Sequence, residues 1–204
     1  MKIAIIGAGG HAKVVADAIL ESGSHQIFGF FDDEPKLWGR DILGYPVLGP
    51  TNSWQNHSID AFVVGIGNNL ARKKAFGQLK SAGAKLATVI HPRATLGRGV
   101  ALGEGVVVFS NVVVNSDSQI HANCILNTSC TVDHDCIVGA HVHLAPGVNI
   151  AGDVRLGEGV FVGIGAKIIP RISVGDWAVI GAGAAVTRDV TGCTKVVGVP
   201  ARAT

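Results

Sequence analysis

The sequence predicts a chain in two parts. Residues 1–90 read as an α/β N-terminal domain, a small Rossmann-like βαβαβ unit with a parallel sheet, and residues 91–204 as a parallel β-helix of hexapeptide repeats. Three observations predict this. Every sixth residue from Leu96 to Val186 is Leu, Ile or Val, sixteen in succession. A period of six fits neither a helix nor a hairpin strand, and marks stacked coils whose flat faces each give one aliphatic to a shared core. An apolar run ends in Gly7-Ala8-Gly9-Gly10 and opens a helical pattern. His91-Pro92 then separates the two rhythms, because proline restricts the residue before it.

In order, Lys2 to Ile6 is a buried strand, and the helix after the glycines runs from about His11 to Ser22 with Val14, Val15, Ala18 and Ile19 inward. A second strand near Ile27 to Phe31 ends at Asp32-Asp33. Residues 34–57 carry Pro35, Gly39, Gly44, Pro46, Gly49 and Pro50 and read as turns. A third strand, Ala61 to Val64, leads into Gly65-Ile66-Gly67-Asn68-Asn69, a helix from Leu70 to Ala82, and a short strand near Leu86 to Ile90. In the repeats, the residue two before each aliphatic is small or β-branched and points inward. The residue after it is often glycine, as at Gly97, Gly103 and Gly139, and is expected to turn the corner.

Composition narrows the function. The net charge of +2 comes from dispersed residues of both signs, without the clustered Lys and Arg of a nucleic-acid surface. No stretch approaches the roughly eighteen apolar residues of a membrane span. The first ten residues lack a signal peptide's long apolar core, so a cytoplasmic protein is expected. Cys124, Cys130 and Cys136 fall at the inward position of successive repeats, and six-residue spacing sends them to different faces. Packing is their expected role, rather than zinc or a disulfide.

Two stretches carry chemistry. Gly7-x-Gly9-x-x-Ala12, between a strand and a helix, lets backbone approach a phosphate, and a carboxylate about twenty residues on meets a ribose or sugar hydroxyl or a base edge. A single nucleotide diphosphate fits the space better than a dinucleotide. The second stretch lies where the glycines after the aliphatic give way to Phe109, Asn115, His121, Asn127 and Asp133. There His134 sits at an outward turn between Asp133 and Asp135, placed for general-base chemistry. His121 and His141 read as exposed turn residues, and His25, His57 and His91 as solvated. No two histidines are five apart, which argues against a zinc hydratase of the γ carbonic anhydrase type.

Gly7-Ala8-Gly9-Gly10-His11-Ala12-Lys13, Asp32-Asp33, Gly65-Ile66-Gly67-Asn68-Asn69, the run from Asn127-Thr128 to Asp133-His134-Asp135-Cys136 and the terminal Gly198-Val199-Pro200-Ala201 together resemble the sugar O/N-acyltransferases. The likeness is greatest to the bacterial UDP-4-amino-sugar N-acetyltransferases of bacillosamine biosynthesis, and next to the GDP-perosamine N-acetyltransferases. It implies a left-handed β-helix, a homotrimer with active sites between subunits, and acetyl-CoA in the cleft between helices. It also implies that the N-terminal domain holds the nucleotide of a nucleotide-linked amino sugar. On that resemblance His134 is the general base and Asp135 tunes it, standing where the bacillosamine enzymes have Glu. His143 and Gly152 contact acetyl-CoA, and His11, Ala12, Lys13, Asp32, Asp33 and Gly67 form the nucleotide-sugar site. Lys167, Arg171, Arg188 and Arg202 are candidates for the CoA phosphates. The chemistry is direct transfer, which requires no metal. Two other readings stay open from the sequence: O-acetylation of a free sugar such as sialic acid, and a non-catalytic, ligand-binding solenoid.

Overall fold

In the computed structural model, which describes residues 1–204, the chain divides into two compact units, Met1–Pro92 and Arg93–Thr204. The first is a five-stranded sheet of β1 (Lys2–Ile6), β2 (Gln26–Phe31), β3 (Asp41–Ile42), β4 (Tyr45–Gly49) and β5 (Ala61–Val64), in the order β3-β4-β2-β1-β5. β2 and β5 flank β1, both parallel to it, and β4 is parallel to β2. The chain leaves β1 in one direction and reaches β5 in the other, so the ends of β1 and β5 border the switch point at which such sheets bind ligands.

Helix α1 (Gly10–Ser22) buries Ala12, Val15, Ala16 and Ile19, the i, i+3, i+4, i+7 stripe of an amphipathic helix. Val14, expected inward, is off that stripe and exposed. Gly23 ends the helix in the left-handed conformation, its N–H donating to the Leu20 carbonyl. Helix α2 (Asn69–Ser81) is capped by Asn68, whose Oδ1 accepts from the Ala71 N–H at 3.0 Å. Leu86 makes an isolated bridge to Phe62, and the last short strand of the unit is Val89–Ile90.

The turn-rich segment holds structure that composition concealed. β3 and β4 form an antiparallel hairpin, Ile42 opposite Tyr45, closed by Leu43 and Gly44, both at positive φ. Asn or Asp is usual at the first of these positions, and Leu gives no such signal.

The second unit is the parallel β-helix that the sixfold period predicts. Two-residue strands pair eighteen residues apart, as Val113 with Thr131, Gln119 with Ile137 and Ile125 with His143, giving three flat faces. The aliphatic column is buried along almost its whole length; its first two members, Leu96 and Leu102, are half-buried.

The corner works differently from the expectation. The left-handed residue is the third after each aliphatic: Gly99, Asp117, Asn123, Asp135 and Gly159 all lie at φ between 59° and 74°. The glycines directly after the aliphatics serve close approach. A Cβ on Gly97 would stand 2.7 Å from the Ser116 nitrogen of the next coil, and one on Gly139 2.7 Å from the Gly157 carbonyl carbon.

Cys124, Cys130 and Cys136 are fully buried on the inside. The Cys124 Sγ lies 3.0 Å from the Gly139 carbonyl oxygen, and burial pushes the Cys130 thiol up to about 12. Iodoacetamide applied to the native chain is therefore expected to alkylate Cys193, the exposed thiol, and leave the other three; mass spectrometry of the intact protein checks this.

Candidate active site

The site builds outward from the corner that follows Val132. Its left-handed residue is Asp135, φ 60°, a residue type that tolerates this conformation. The turn throws His134 outward beside it, and His134 Nδ1 lies 2.7 Å from Asp135 Oδ2. With Nδ1–H donating to the carboxylate, Nε2 carries the free lone pair. On the other side, Asp133 Oδ1 accepts from the His134 N–H at 2.9 Å and from Asn115 Nδ2 at 2.8 Å. Those two bonds hold the Asp133 carboxyl below its usual range.

His134 and Asp135 are about three-fifths exposed. Desolvation is therefore slight, and carboxylates govern the imidazole. The hydrogen bond it donates to Asp135, then the charge of Asp133, raise its pKa above the ordinary 6.5. A base must be deprotonated to act, so with His134 in that role the acid limb of kcat/KM is expected above that value, with activity falling as pH drops through it. Asp135→Asn removes the largest cause. Its acid limb is expected to move to lower pH and its plateau to drop about tenfold, as a pH–rate profile would record.

Gly152 stands one coil above His134. A Cβ there would lie 2.6 Å from both Nε2 and Cε1 of His134, so the imidazole occupies the space a side chain would fill. The two residues line an open groove of about 780 Å³ with Asp135, Asp153, Arg155 and Arg171. The remaining predicted residue of this unit, His143, is on another face. It is buried, its Nε2 3.3 Å from Asn127 Nδ2 and its ring edge-on to Phe161. Within one chain it does not join His134.

Three histidine expectations are corrected. His141 is buried, with Asn123 Nδ2 2.7 Å from its Nδ1, because Asn123 stacks on it one coil earlier. His91 is buried as well. His57 is half-buried, its ring 5.5 Å from Phe28 and 5.6 Å from Phe31.

In the first unit the glycine turns gather the predicted nucleotide-sugar residues at the ends of β1, β2 and β5. His11 opens α1 and is mostly buried; burial, then the charge of Arg72, lower its pKa to about 4, leaving it neutral. Ala12 is buried under Gly65, where an added Cβ would stand 2.9 Å from its own. It packs the two turns together, while Lys13 is exposed. Gly67 lies beside the His11 ring.

Both carboxylates have structural duties. Asp32 Oδ2 accepts from the Ala8 N–H at 2.7 Å and Oδ1 from the Glu34 N–H at 2.9 Å, holding the glycine loop. Asp33 Oδ1 accepts from the Thr51 N–H and hydroxyl, each at 2.8 Å. A cavity of about 520 Å³ opens beside Asp33, walled by Thr51, Asn52, Ile66, Lys74 and Gln78. Of these, sequence reasoning proposed only Asp33. Thr51 and Asn52 follow the unrecognised β4, and the i, i+4 spacing of Lys74 and Gln78 was the available signal.

A hexapeptide β-helix bearing an exposed His–Asp dyad in an open groove, joined to an α/β unit with glycine turns at its switch point, defines a hexapeptide acyltransferase. Residues 2–79 match the family profile of the PglD N-terminal domain, and residues 153–188 that of the bacterial transferase hexapeptide (six repeats). The chain is 37% identical, with a TM-score of 0.94, to PerB from Caulobacter crescentus, solved in complex with CoA and GDP-perosamine; the match covers 100% of this chain and 97% of that one. It is also 37% identical to the acetyltransferase domain of PglB from Neisseria gonorrhoeae, over 100% and 99% of the two chains, again with a TM-score of 0.94. WeeI from Acinetobacter baumannii is 28% identical over 100% of both, with a TM-score of 0.92. A provisionally named acetyltransferase of Schizosaccharomyces pombe is 36% identical over 56 residues, a stretch spanning 28% of this chain and 27% of that protein. The chain belongs to the hexapeptide-repeat sugar N-acetyltransferases.

Proposed function

We propose that the protein transfers the acetyl group of acetyl-CoA to the amino group of a nucleotide-linked amino sugar, with His134 as general base. The dyad in its open groove carries this reading. The sugar nitrogen attacks the thioester carbonyl and its proton passes to His134 Nε2. As the C–S bond breaks, the imidazolium returns the proton to the CoA sulfur. Asp135 orients the ring and stabilises its charged form. No acyl-enzyme forms, because the cysteines of the coils lie inside the core.

Acetyl-CoA is placed along the corner above His134, over Gly152 and Pro170. Coils stack at ~4.8 Å, so Arg188, three coils on, stands about 14 Å along the axis, within reach of the phosphates beyond an extended pantetheine arm. Gly152 and His143 contact the donor, and Arg171, Lys167 and Arg202 are further phosphate partners. The nucleotide belongs to His11, Ala12, Lys13, Asp32, Asp33 and Gly67.

A UDP-linked 4-amino-4,6-dideoxy sugar is the first acceptor. GDP-perosamine is the second, supported by the likeness to an enzyme solved with it. The assembly is a homotrimer in which His134 of one copy meets His143 of the next, and the protein works in the cytoplasm. No helix in the structure is long and apolar enough to cross a membrane.

The test is thiol release from acetyl-CoA against UDP-, GDP- and dTDP-linked amino sugars. Release with a nucleotide-linked sugar is expected; release only with a free sugar would overturn the acceptor class. A native mass three times the 21.0 kDa chain is expected of the trimer.

A further inference from the structure

The N-terminal unit buries one whole positive charge. Arg72 is 1% exposed and heads the fully buried side chains by size. It lies near the start of α2, the helix end at which a cation is least favoured, and a buried guanidinium is costly unless its donors are met. Its Nη1 stands 2.9 Å from Asn69 Oδ1, 3.2 Å from the Gly67 carbonyl oxygen and 3.4 Å from that of Ile66. The side chain turns back beneath its own helix and gathers the 66–69 turn from inside. A trans peptide points its C=O and N–H in opposite directions, so carbonyls of Ile66 and Gly67 drawn toward Arg72 turn the N–H groups of Gly67 and Asn68 away from it.

That turn is one wall of the switch-point crevice, and the glycine loop with His11 is the other. A Cβ on Gly67 would be 3.8 Å from His11 Cγ, and one on Gly65 2.9 Å from Ala12 Cβ, next to His11 at the start of α1. The walls are therefore in contact, and displacement of one moves the other.

We propose that Arg72 is a positioning residue for the nucleotide-sugar, setting the 66–69 turn against His11 so that both present fixed hydrogen-bonding groups to the crevice. This rests on the reading that the first unit binds the nucleotide of the acceptor. The same guanidinium, after burial, helps keep His11 uncharged, so the imidazole meets its ligand as a neutral donor or acceptor.

The test uses the full chain and its best acceptor from the thiol-release panel. Arg72→Gln is expected to raise the KM for the nucleotide-sugar about tenfold or more, and Arg72→Lys to recover part of it. The KM for acetyl-CoA and the kcat at saturating sugar stay within about twofold. An unchanged sugar KM in folded Arg72→Gln, or an equal rise in the acetyl-CoA KM, overturns the proposal. If Arg72→Gln does not fold, Asn69→Ala removes one acceptor and leaves the charge in place. It is expected to raise the sugar KM about threefold, and no rise overturns the proposal. Calorimetry of UDP, GDP and dTDP on the unaltered chain separates the two levels: binding of none of them overturns the nucleotide reading itself, while binding unaffected by Arg72→Gln overturns only the role of Arg72.

Discussion

Replacing His134 by Ala is expected to lower kcat for acetyl transfer by about 10² or more, with the fold intact. The side chain is well exposed, so its removal leaves no cavity and strands no buried group. What disappears is the imidazole that the corner aims into the groove, together with its 2.7 Å bond to Asp135. An amine attacking a thioester must lose a proton, and water at the same place is a far weaker base. Steady-state thiol release at saturating acetyl-CoA and sugar measures the loss, and thermal unfolding shows the chain unchanged. A variant that turns over at a near-normal rate would remove His134 from the mechanism.

The second large effect falls on a residue with no functional group. Gly152→Ala is expected to lower kcat about 10²-fold while leaving stability almost untouched. Gly152 is absent from the residues at positive φ, so its backbone accepts a side chain. The obstacle is the imidazole. The new Cβ would lie 2.6 Å from Nε2, so the ring must swing off its present rotamer and away from Asp135 Oδ2. A misplacement of about 1 Å in a reacting group is enough for a loss of this size. The pH profile distinguishes this from simple obstruction of the groove. A displaced imidazole loses the carboxylate contact that raises its pKa, so the acid limb moves down with the rate. A slow variant whose acid limb stays in place would show that Gly152 acts by leaving room for substrate alone.

The aliphatic column was legible because burial and spacing in a solenoid are the same fact, repeated every six residues. His134 and Asp135 were legible because they are adjacent in sequence. Less could be read where structure joins residues one coil apart. Gly152 lies against His134 from eighteen positions away, and Asn123 covers His141 at the same separation. Composition marks such glycines but does not say whether they relieve a dihedral or admit a neighbour, which is why the corner was assigned two residues early. In the first unit, the hairpin closed by Leu43 and Gly44 carries no turn signature in its leading residue. Arg72 sits among lysines on a helix whose pattern reads as a solvated face. Only the path of the 66–69 turn shows that this one cation is enclosed.

The eighteen-residue pairing also governs how the second unit comes apart. Each coil is bonded only to the one before and the one after, so the unit resembles a line of coupled segments rather than a sphere with a single centre. Such a line opens from its ends, and Leu96 and Leu102, half-covered, mark one of them. The dyad corner has bonded coils on both sides, from Ser116 O, which accepts the Asp135 N–H, to Asp153 N, which donates to His134 O. Fraying must consume its flanking coils before it reaches His134, so the dyad corner belongs to the slowest-opening part of the stack.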